Sequence, residues 1–490
     1  MKGLQKNFKE ISSRSWWQKP GFGIMYQIEA RPGWIWERDF DKFNASMKNQ
    51  DGGLNFNGPL CKMEEWVHFS KRVGVDYHIF ESKWHDGICY FDTKYTDWKT
   101  PTDYCKIFAE ESNKHQIPFM FYYSSVFDHN PQFDDIQPVR NITSSFIALH
   151  RDQKEEVIDF CLMFTQFIIN QFVESIKKEM RKKKDGNIKE THEDGTNLNI
   201  NDAPNFLTLK MNNLKQKKAQ FTYNPAIYET YLRNQMIELI EKYEPYGMWM
   251  DWFMKSTFKE GSTRVIMDLM KEKYPHIVLT FNNSINEQPE WAHYLSGEAH
   301  TVDSAWQQGK RLHRKKSPWE LVGPAAKSWF DPTPRPDPLE LARIAVIIMA
   351  NGGKICFGLP SQMDGSLYFK PAQHLENFGK WYELRRSLFT EAIPMDYKGA
   401  KMQSIKVNDD KFGLIGSVYA NDTLIHIINF RGDKVPINLE FALNYWDPIK
   451  RLTLKPNDVK LEFSKTSGGI FLMIPREYVD PVDTIVRIVQ

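Results

Sequence analysis

YLRNQMIELIEKYEPYGMWMDWF, residues 231–253, sets the reading of the whole chain. Leu232, Met236, Leu239, Ile240 and Tyr243 recur at three- and four-residue steps, the period of an amphipathic helix. EPYG then turns the chain, and GMWM is an unbroken apolar run, the signature of a parallel strand covered on both faces. The run ends on a carboxylate, Asp251. The same unit recurs outward in both directions. Apolar strands are expected at 21–30 (GFGIMYQIEA), 76–82 (DYHIFES), 118–124 (PFMFYYS), 247–253, 276–282 (HIVLTFN), 293–299 (HYLSGEA) and 354–360 (KICFGLP), with a weaker one at 325–330 (AAKSWF). Helical periods separate several of them, as in EEWVHFSKRVG (64–74), CKIFAEESNKH (105–115), VIMDLMKEKY (265–274) and LELARIAVIIMANGG (339–353).

Eight strands alternating with helices over roughly 370 residues predict an α/β fold, a (β/α)8 TIM-like barrel with insertions, over residues 1–390. An open doubly wound sheet competes, but it carries a glycine-rich phosphate turn after an early strand, and this sequence has none. Past residue 390 helical periodicity stops. GLIGSVYA, TLIHIINF, VPINLEFAL, KRLTLKP, GGIFLMIP and DTIVRIV are short strands between turns, predicting a C-terminal antiparallel β-sandwich over 391–490, with the boundary in EAIPMDYKG. A charged, Asn-rich stretch at 177–220 reads as a surface insertion in the barrel.

The 490 residues carry 64 Lys and Arg against 62 Asp and Glu, a near balance that gives no electrostatic reason to expect nucleic acid or an anionic membrane as partner. No run approaches the roughly 18 apolar residues of a membrane span. Five cysteines (Cys61, Cys89, Cys105, Cys161, Cys356) stand apart with no CxxC pair, which argues against a disulfide framework or structural zinc. The lack of HExxH or a clustered His/Asp set argues against a catalytic metal, and no cofactor motif is present. MKGLQKNFKE is not a secretory leader, so the chain as written reads as cytoplasmic; secretion or periplasmic placement stays open if a leader has been removed.

In such a barrel the chemistry sits at the C-terminal strand ends. These supply Gln27 and Glu29; Lys83, His85 and Asp86; Tyr122 and Tyr123; Asp251; Asn282 and Asn283; and Glu298 with His300. Asp251, flanked by Trp249 and Trp252, and Glu298 are carboxylates at the mouth of an apolar barrel, where desolvation disfavours a charge that nothing uses. Two such groups are what glycosidic cleavage requires.

The chain resembles the alpha-L-fucosidase family of glycoside hydrolases. MEEWVHFSKRVGVDYHIFESKWHDGICYFDTKYTDW (63–98) is similar to the family's block around HHDG and KYT, PFMFYYS to its YYS strand, the 231–253 segment to its WFDG segment, and ANGGKICFGLPSQMDGSL (350–367) to its late GG…GP…DG motif. The resemblance implies a retaining exo-glycosidase acting on a terminal sugar of an oligosaccharide or glycoconjugate. It implies Asp251 as nucleophile and Glu298 as acid/base, with Glu290 and Glu287 as runners-up. Glu298 should then have a raised pKa and Asp251 stay ionised. It places His85, Trp36, Glu37 and Tyr123 among the sugar contacts, joined by Trp249 and Asn282 at their strand ends. Trp306, Trp319 and Trp329 offer an apolar wall. Gln27 stands where the family has the His of HWG, Trp84 where it has the first His of HHDG, Trp252 where it has Gly, and Ser284 where an Arg is expected. Those changes remove hydrogen-bonding groups that read sugar hydroxyls. They leave two further readings: a glycosidase for another terminal sugar (galactoside or arabinoside), and a catalytically silent carbohydrate-binding barrel. Linkage, aglycone and oligomeric state are not written in the sequence.

Overall fold

The structure, a computed structural model, describes residues 16–28, 54–56, 60–125, 128, 130, 132, 225–251, 262–282, 284–287, 292–313, 317–330, 333–395, 405–407, 412–430, 438–443 and 448–490. Trp36, Glu37, Glu290, Glu29, Asn283, Trp252 and the 177–220 insertion lie outside the described residues.

Eight parallel strands form the barrel: β1 (Gly21–Gln27), β2 (Tyr77–Lys83), β3 (Phe119–Ser124), β4 (Gly247–Asp251), β5 (Val278–Phe281), β6 (Leu295–Glu298), β7 (Trp319–Pro324) and β8 (Lys354–Pro360). They are ordered β5-β4-β3-β2-β1-β8-β7-β6, so the sheet runs almost full circle. β5 and β6 lie side by side without a backbone ladder. One backbone bond, from the His293 N–H to the Leu279 carbonyl at 2.9 Å, and several side chains stitch this seam. Thr280 Oγ1 donates to the Tyr294 carbonyl at 2.7 Å, and the Ser296 N–H donates to Ser284 Oγ at 2.9 Å. The seventh strand therefore lies one segment earlier than expected. AAKSWF is the loop that follows β7, not the strand. WELVGP escaped notice because it carries Glu320, a charge that the barrel interior accommodates by pairing.

Helices α1 (Met63–Val73), α2 (Tyr104–His115), α3 (Pro225–Tyr243), α4 (Ser262–Lys273), α5 (Ser284–Glu287), α6 (Val302–Leu312), α7 (Glu340–Ala350), α8 (Phe369–Glu383) and α9 (Ser387–Thr390) accompany the strands. Local chemistry fixes their ends. α1 starts on Glu64 and Glu65, ends on Lys71 and Arg72, and stops at Gly74, whose φ of 75° suits a residue without Cβ. Asp103 caps α2 by accepting the Lys106 N–H, and Thr301 with Ser304 forms a capping box on α6. Among the described residues no helix is long and apolar enough to cross a membrane.

Strand alternation divides the barrel side chains into two sets. Phe22, Ile24, Tyr26, Phe80, Phe121, Met248 and Met250 point outward into the layer beneath the helices. Met25, Tyr77, Ile79, Met120, Tyr122, Trp249, Val278 and Cys356 point inward. The interior is not wholly apolar. Glu320 accepts hydrogen bonds from Tyr77, from Trp249 Nε1 (2.9 Å) and from Ser296 (3.3 Å). Burial raises the pKa of Glu320 despite these partners and the Lys354 ammonium, and burial lowers that of Lys354 to about 8.

Beyond the barrel, β9 (Ile393–Pro394), β10 (Ile405–Val407), β11 (Phe412–Tyr419), β12 (Asp422–Asn429), β13 (Asn438–Leu443), β14 (Arg451–Lys455), β15 (Val459–Leu461), β16 (Phe463–Thr466), β17 (Gly469–Pro475) and β18 (Asp483–Val489) pair antiparallel in two sheets. One sheet is β10-β13-β17-β16 and the other β15-β14-β18-β12-β11-β9. Ile425, Ile427, Leu439, Leu452, Leu472 and Ile474 form the core that the two sheets share. Arg343 of α7 joins this unit to the barrel by donating to the Asn429 carbonyl at 2.6 Å.

Candidate active site

Asp251 is the last residue of β4, two positions beyond Trp249 on the same inward row. Trp249 is buried one layer below it, bonded to Glu320 and stacked on Tyr122 at 5.4 Å, so it forms the floor of the site and not a sugar platform. Three donors converge on the Asp251 carboxylate. Tyr122 donates to Oδ2, His85 Nε2 lies 3.4 Å from Oδ2, and Asn282 Nδ2 donates to Oδ1 at 3.0 Å. His85 is held in turn by Ser124 Oγ, 2.6 Å from its Nδ1. Burial and the neighbouring Asp251 raise the pKa of Tyr122 well above its ordinary value, keeping it a donor.

Tyr123, the expected sugar contact on β3, faces the other way. It lies under the helices, donates to Gln235 Oε1 at 2.6 Å and packs beneath the Lys83 ammonium. Its neighbour Tyr122 occupies the site because strand residues alternate faces. Lys83 also points outward and pairs with Asp128.

Glu298 ends β6, and its side chain is about 35% exposed where Asp251 is about 10%. The Asn282 amide nitrogen that donates to Asp251 also donates to Glu298 Oε1, again at 3.0 Å. Asn282 thus bridges the two carboxylates. Two oxygens each 3.0 Å from one nitrogen are at most about 6 Å apart, so the two carboxylates face each other at close range. His300 Nε2 sits 2.8 Å from Glu298 Oε2, and Gln308 of α6 donates to the Glu298 carbonyl. The expectation of a raised pKa is not met. Burial pushes the Glu298 carboxyl up, but hydrogen bonds from His300 and Asn282, the His300 charge and a bond from Trp329 together hold it below the usual value.

Aromatic rings line the wall beside this pair. Trp84 stacks on His85 with centroids 5.0 Å apart and meets Phe330 at 4.8 Å, while Trp329 is half-buried and edge-on to His300 at 5.6 Å. Phe330 has φ of 56°, a conformation costing a bulky residue about 1–3 kcal/mol. Gln27 is buried at the end of β1, its Oε1 without a hydrogen-bond partner. The wall reaches it, since a Cβ on Gly358 would lie 2.7 Å from Gln27 Oε1 and 2.4 Å from Trp329.

Two expected wall residues lie elsewhere. Trp306, on α6, packs against Phe430, and Trp319 begins β7 at the far end of the barrel, where its ring covers Gly353. Tyr122, His300, Gln308 and Phe330 belong to the site although the reading of the sequence assigned them no role. Strand-end position had singled out Tyr122 and His300; nothing local marked Phe330 or Gln308. Ser284, where an Arg is expected, closes the β5–β6 seam.

Solved structures share this architecture. Thermotoga maritima alpha-fucosidase in complex with fucose aligns at a TM-score of 0.61 and 14% identity, over 97% of this chain and 96% of that one. Isoenzyme 1 of the Paenibacillus thiaminolyticus alpha-L-fucosidase aligns at 0.61 and 16%, over 98% and 99%. A trapped covalent intermediate of a Bacteroides thetaiotaomicron GH29 alpha-L-fucosidase aligns at 0.59 and 13%, over 98% and 96%. At these identities the likeness shows the fold. No curated protein matches the sequence. The family model described as alpha-L-fucosidase matches residues 5–386, most of the chain and nearly all of the barrel, and the protein belongs to the alpha-L-fucosidase family of glycoside hydrolases.

Proposed function

We propose that this glycoside hydrolase releases a terminal alpha-L-fucosyl residue by double displacement, with Asp251 as nucleophile and Glu298 as acid/base. One observation supports the assignment: a single amide nitrogen, Asn282 Nδ2, is bonded to both carboxylates, which keeps their bonded oxygens within about 6 Å of each other, as a closely spaced retaining pair requires. In the first step an Asp251 oxygen attacks the anomeric carbon while Glu298 gives its proton to the leaving oxygen. In the second, Glu298 takes a proton from water, which cleaves the ester and restores both groups. Tyr122, His85 and Asn282 hold Asp251 in one orientation, so little reorganisation accompanies attack. Trp84, Trp329 and Phe330 present an apolar wall suited to the methyl group of a 6-deoxysugar.

A different terminal sugar is the second reading, and Trp84 and Gln27 favour it. Each stands where the family has a histidine, and an altered set of buried donors changes which hydroxyls are read. An aryl alpha-L-fucoside assay on wild type and Asp251→Ala, run beside aryl galactoside and arabinoside, tests both. Hydrolysis of the fucoside, lost in Asp251→Ala, is expected. Equal turnover in wild type and variant overturns the nucleophile, and turnover of another glycoside alone moves the protein to the second reading.

A further inference from the structure

At the opposite end of the barrel, α1 and α2 bring His68, Glu111 and His115 together with one donor atom of each within 4.8 Å of the others. Glu111 and His115 are one helical turn apart on α2, and so share a face, and His68 meets them from α1 with its ring 4.7 Å from that of His115. His115 is the last residue of α2, immediately before the chain enters β3, which puts the cluster on the face away from Asp251. A second observation marks the cluster. His115 Nε2 is buried without a hydrogen-bond partner, with Glu111 Oε2 3.7 Å away, too far for a hydrogen bond.

We propose that His68, Glu111 and His115 form a binding site for a divalent transition ion of the zinc class. Two imidazoles and a carboxylate are a common zinc donor set, with bonds of about 2.0–2.2 Å and a fourth position left to water. Tetrahedral donors lie about 3.3 Å apart, so the three groups close by at most about 1.5 Å on the ion. His68 is exposed, so its ring can make that adjustment by rotation. The competitor is Lys114, whose ammonium sits 3.0 Å from both Glu111 oxygens. Its side chain is 62% exposed against 14% for Glu111, so the ammonium can swing into solvent when an ion takes its place. His115 borders a hollow of about 760 Å³ between α1, α2 and α8, and the exposed His68 leaves an approach from solvent when its ring rotates. The ion would clip α1 to α2, independently of the reaction at the other face.

The test uses the full chain, stripped with a chelator and titrated with zinc by calorimetry, with cobalt as the spectroscopic probe. Wild type should take up one ion at this site, show the intense visible bands of tetrahedral cobalt, and gain Tm with zinc. His115→Ala and the exposed His68→Ala should each weaken binding by more than the roughly 10–100-fold that loss of an outer-shell partner costs. They should also abolish the zinc-dependent Tm gain while unfolding near wild type without metal. No saturable binding by wild type, or wild-type affinity in both variants, overturns the proposal.

Discussion

Replacing Asn282 with alanine removes the one group among the described residues that is bonded to both carboxylates. Each bond runs from an amide to a charged oxygen, and such bonds contribute about 1.5–3 kcal/mol. At 1.36 kcal/mol per factor of ten, one of them alone corresponds to about a 10–150-fold loss of rate. Because both act on one reacting pair they do not add as independent sites. The expected fall in kcat/KM is about 10²–10³, the loss seen when one oxyanion-hole donor is removed. It should fall on kcat more than on KM, because the amide orients the reacting carboxylates. Asn282→Asp is the sharper variant: it keeps the shape but sets a third carboxylate against the other two, and should be slower still. Steady-state hydrolysis of an aryl alpha-L-fucoside measures both, with Tm confirming that the variants fold. A folded Asn282→Ala enzyme with wild-type kcat/KM would refute the bridging role.

His300→Phe keeps a ring against Trp329 and removes the donor that most lowers Glu298. A general acid works while protonated, so the alkaline limb of kcat/KM should move to higher pH; an unmoved limb would detach Glu298 from the acid role. The same variant reduces a stability term that is present above the unfolded carboxylate range and lost as pH falls through the folded pKa of Glu298. Tyr122→Phe should lower kcat about ten-fold or more with little change in Tm. Tyr123→Phe should cost about 1–3 kcal/mol of stability at Gln235 and leave the activity of folded enzyme intact; the reverse pattern would overturn the assignment of strand faces. Burial raises Asp86 to about 7, and its Oδ2 lacks a partner, so Asp86 stabilises the fold at low pH and loses that contribution as pH rises towards 7. Asp86→Asn should therefore match wild type near pH 4 and exceed it by about 1–3 kcal/mol near pH 8; equal Tm differences at the two pH values would contradict this.

The barrel and its two carboxylates are legible because a continuous apolar run has one natural exit, and Asp251 and Glu298 stand at two such exits. Parity is less legible. Tyr122 and Tyr123 are the same residue type on one strand, and only the register against β4 decides which faces Asp251. The seventh strand is obscured by Glu320, whose charge is read as surface until Tyr77, Trp249 and Lys354 are found around it. Phe330 comes to the site through a left-handed turn that no periodicity announces. The depressed pKa of Glu298 depends on His300, Asn282 and Trp329 together, and their convergence is a property of the folded chain alone.

Where neighbouring strands are laddered, backbone hydrogen bonds fix their spacing whatever side chains they carry. Between β5 and β6 the backbone supplies a single bond among the described residues, His293 to Leu279, and Asn282 to Glu298, Thr280 to Tyr294 and Ser296 to Ser284 supplement it. The separation of Asp251 and Glu298 therefore rests on a few replaceable side chains as well as on the backbone. Trimming those stitches would leave the position of Glu298 relative to Asp251 less firmly fixed.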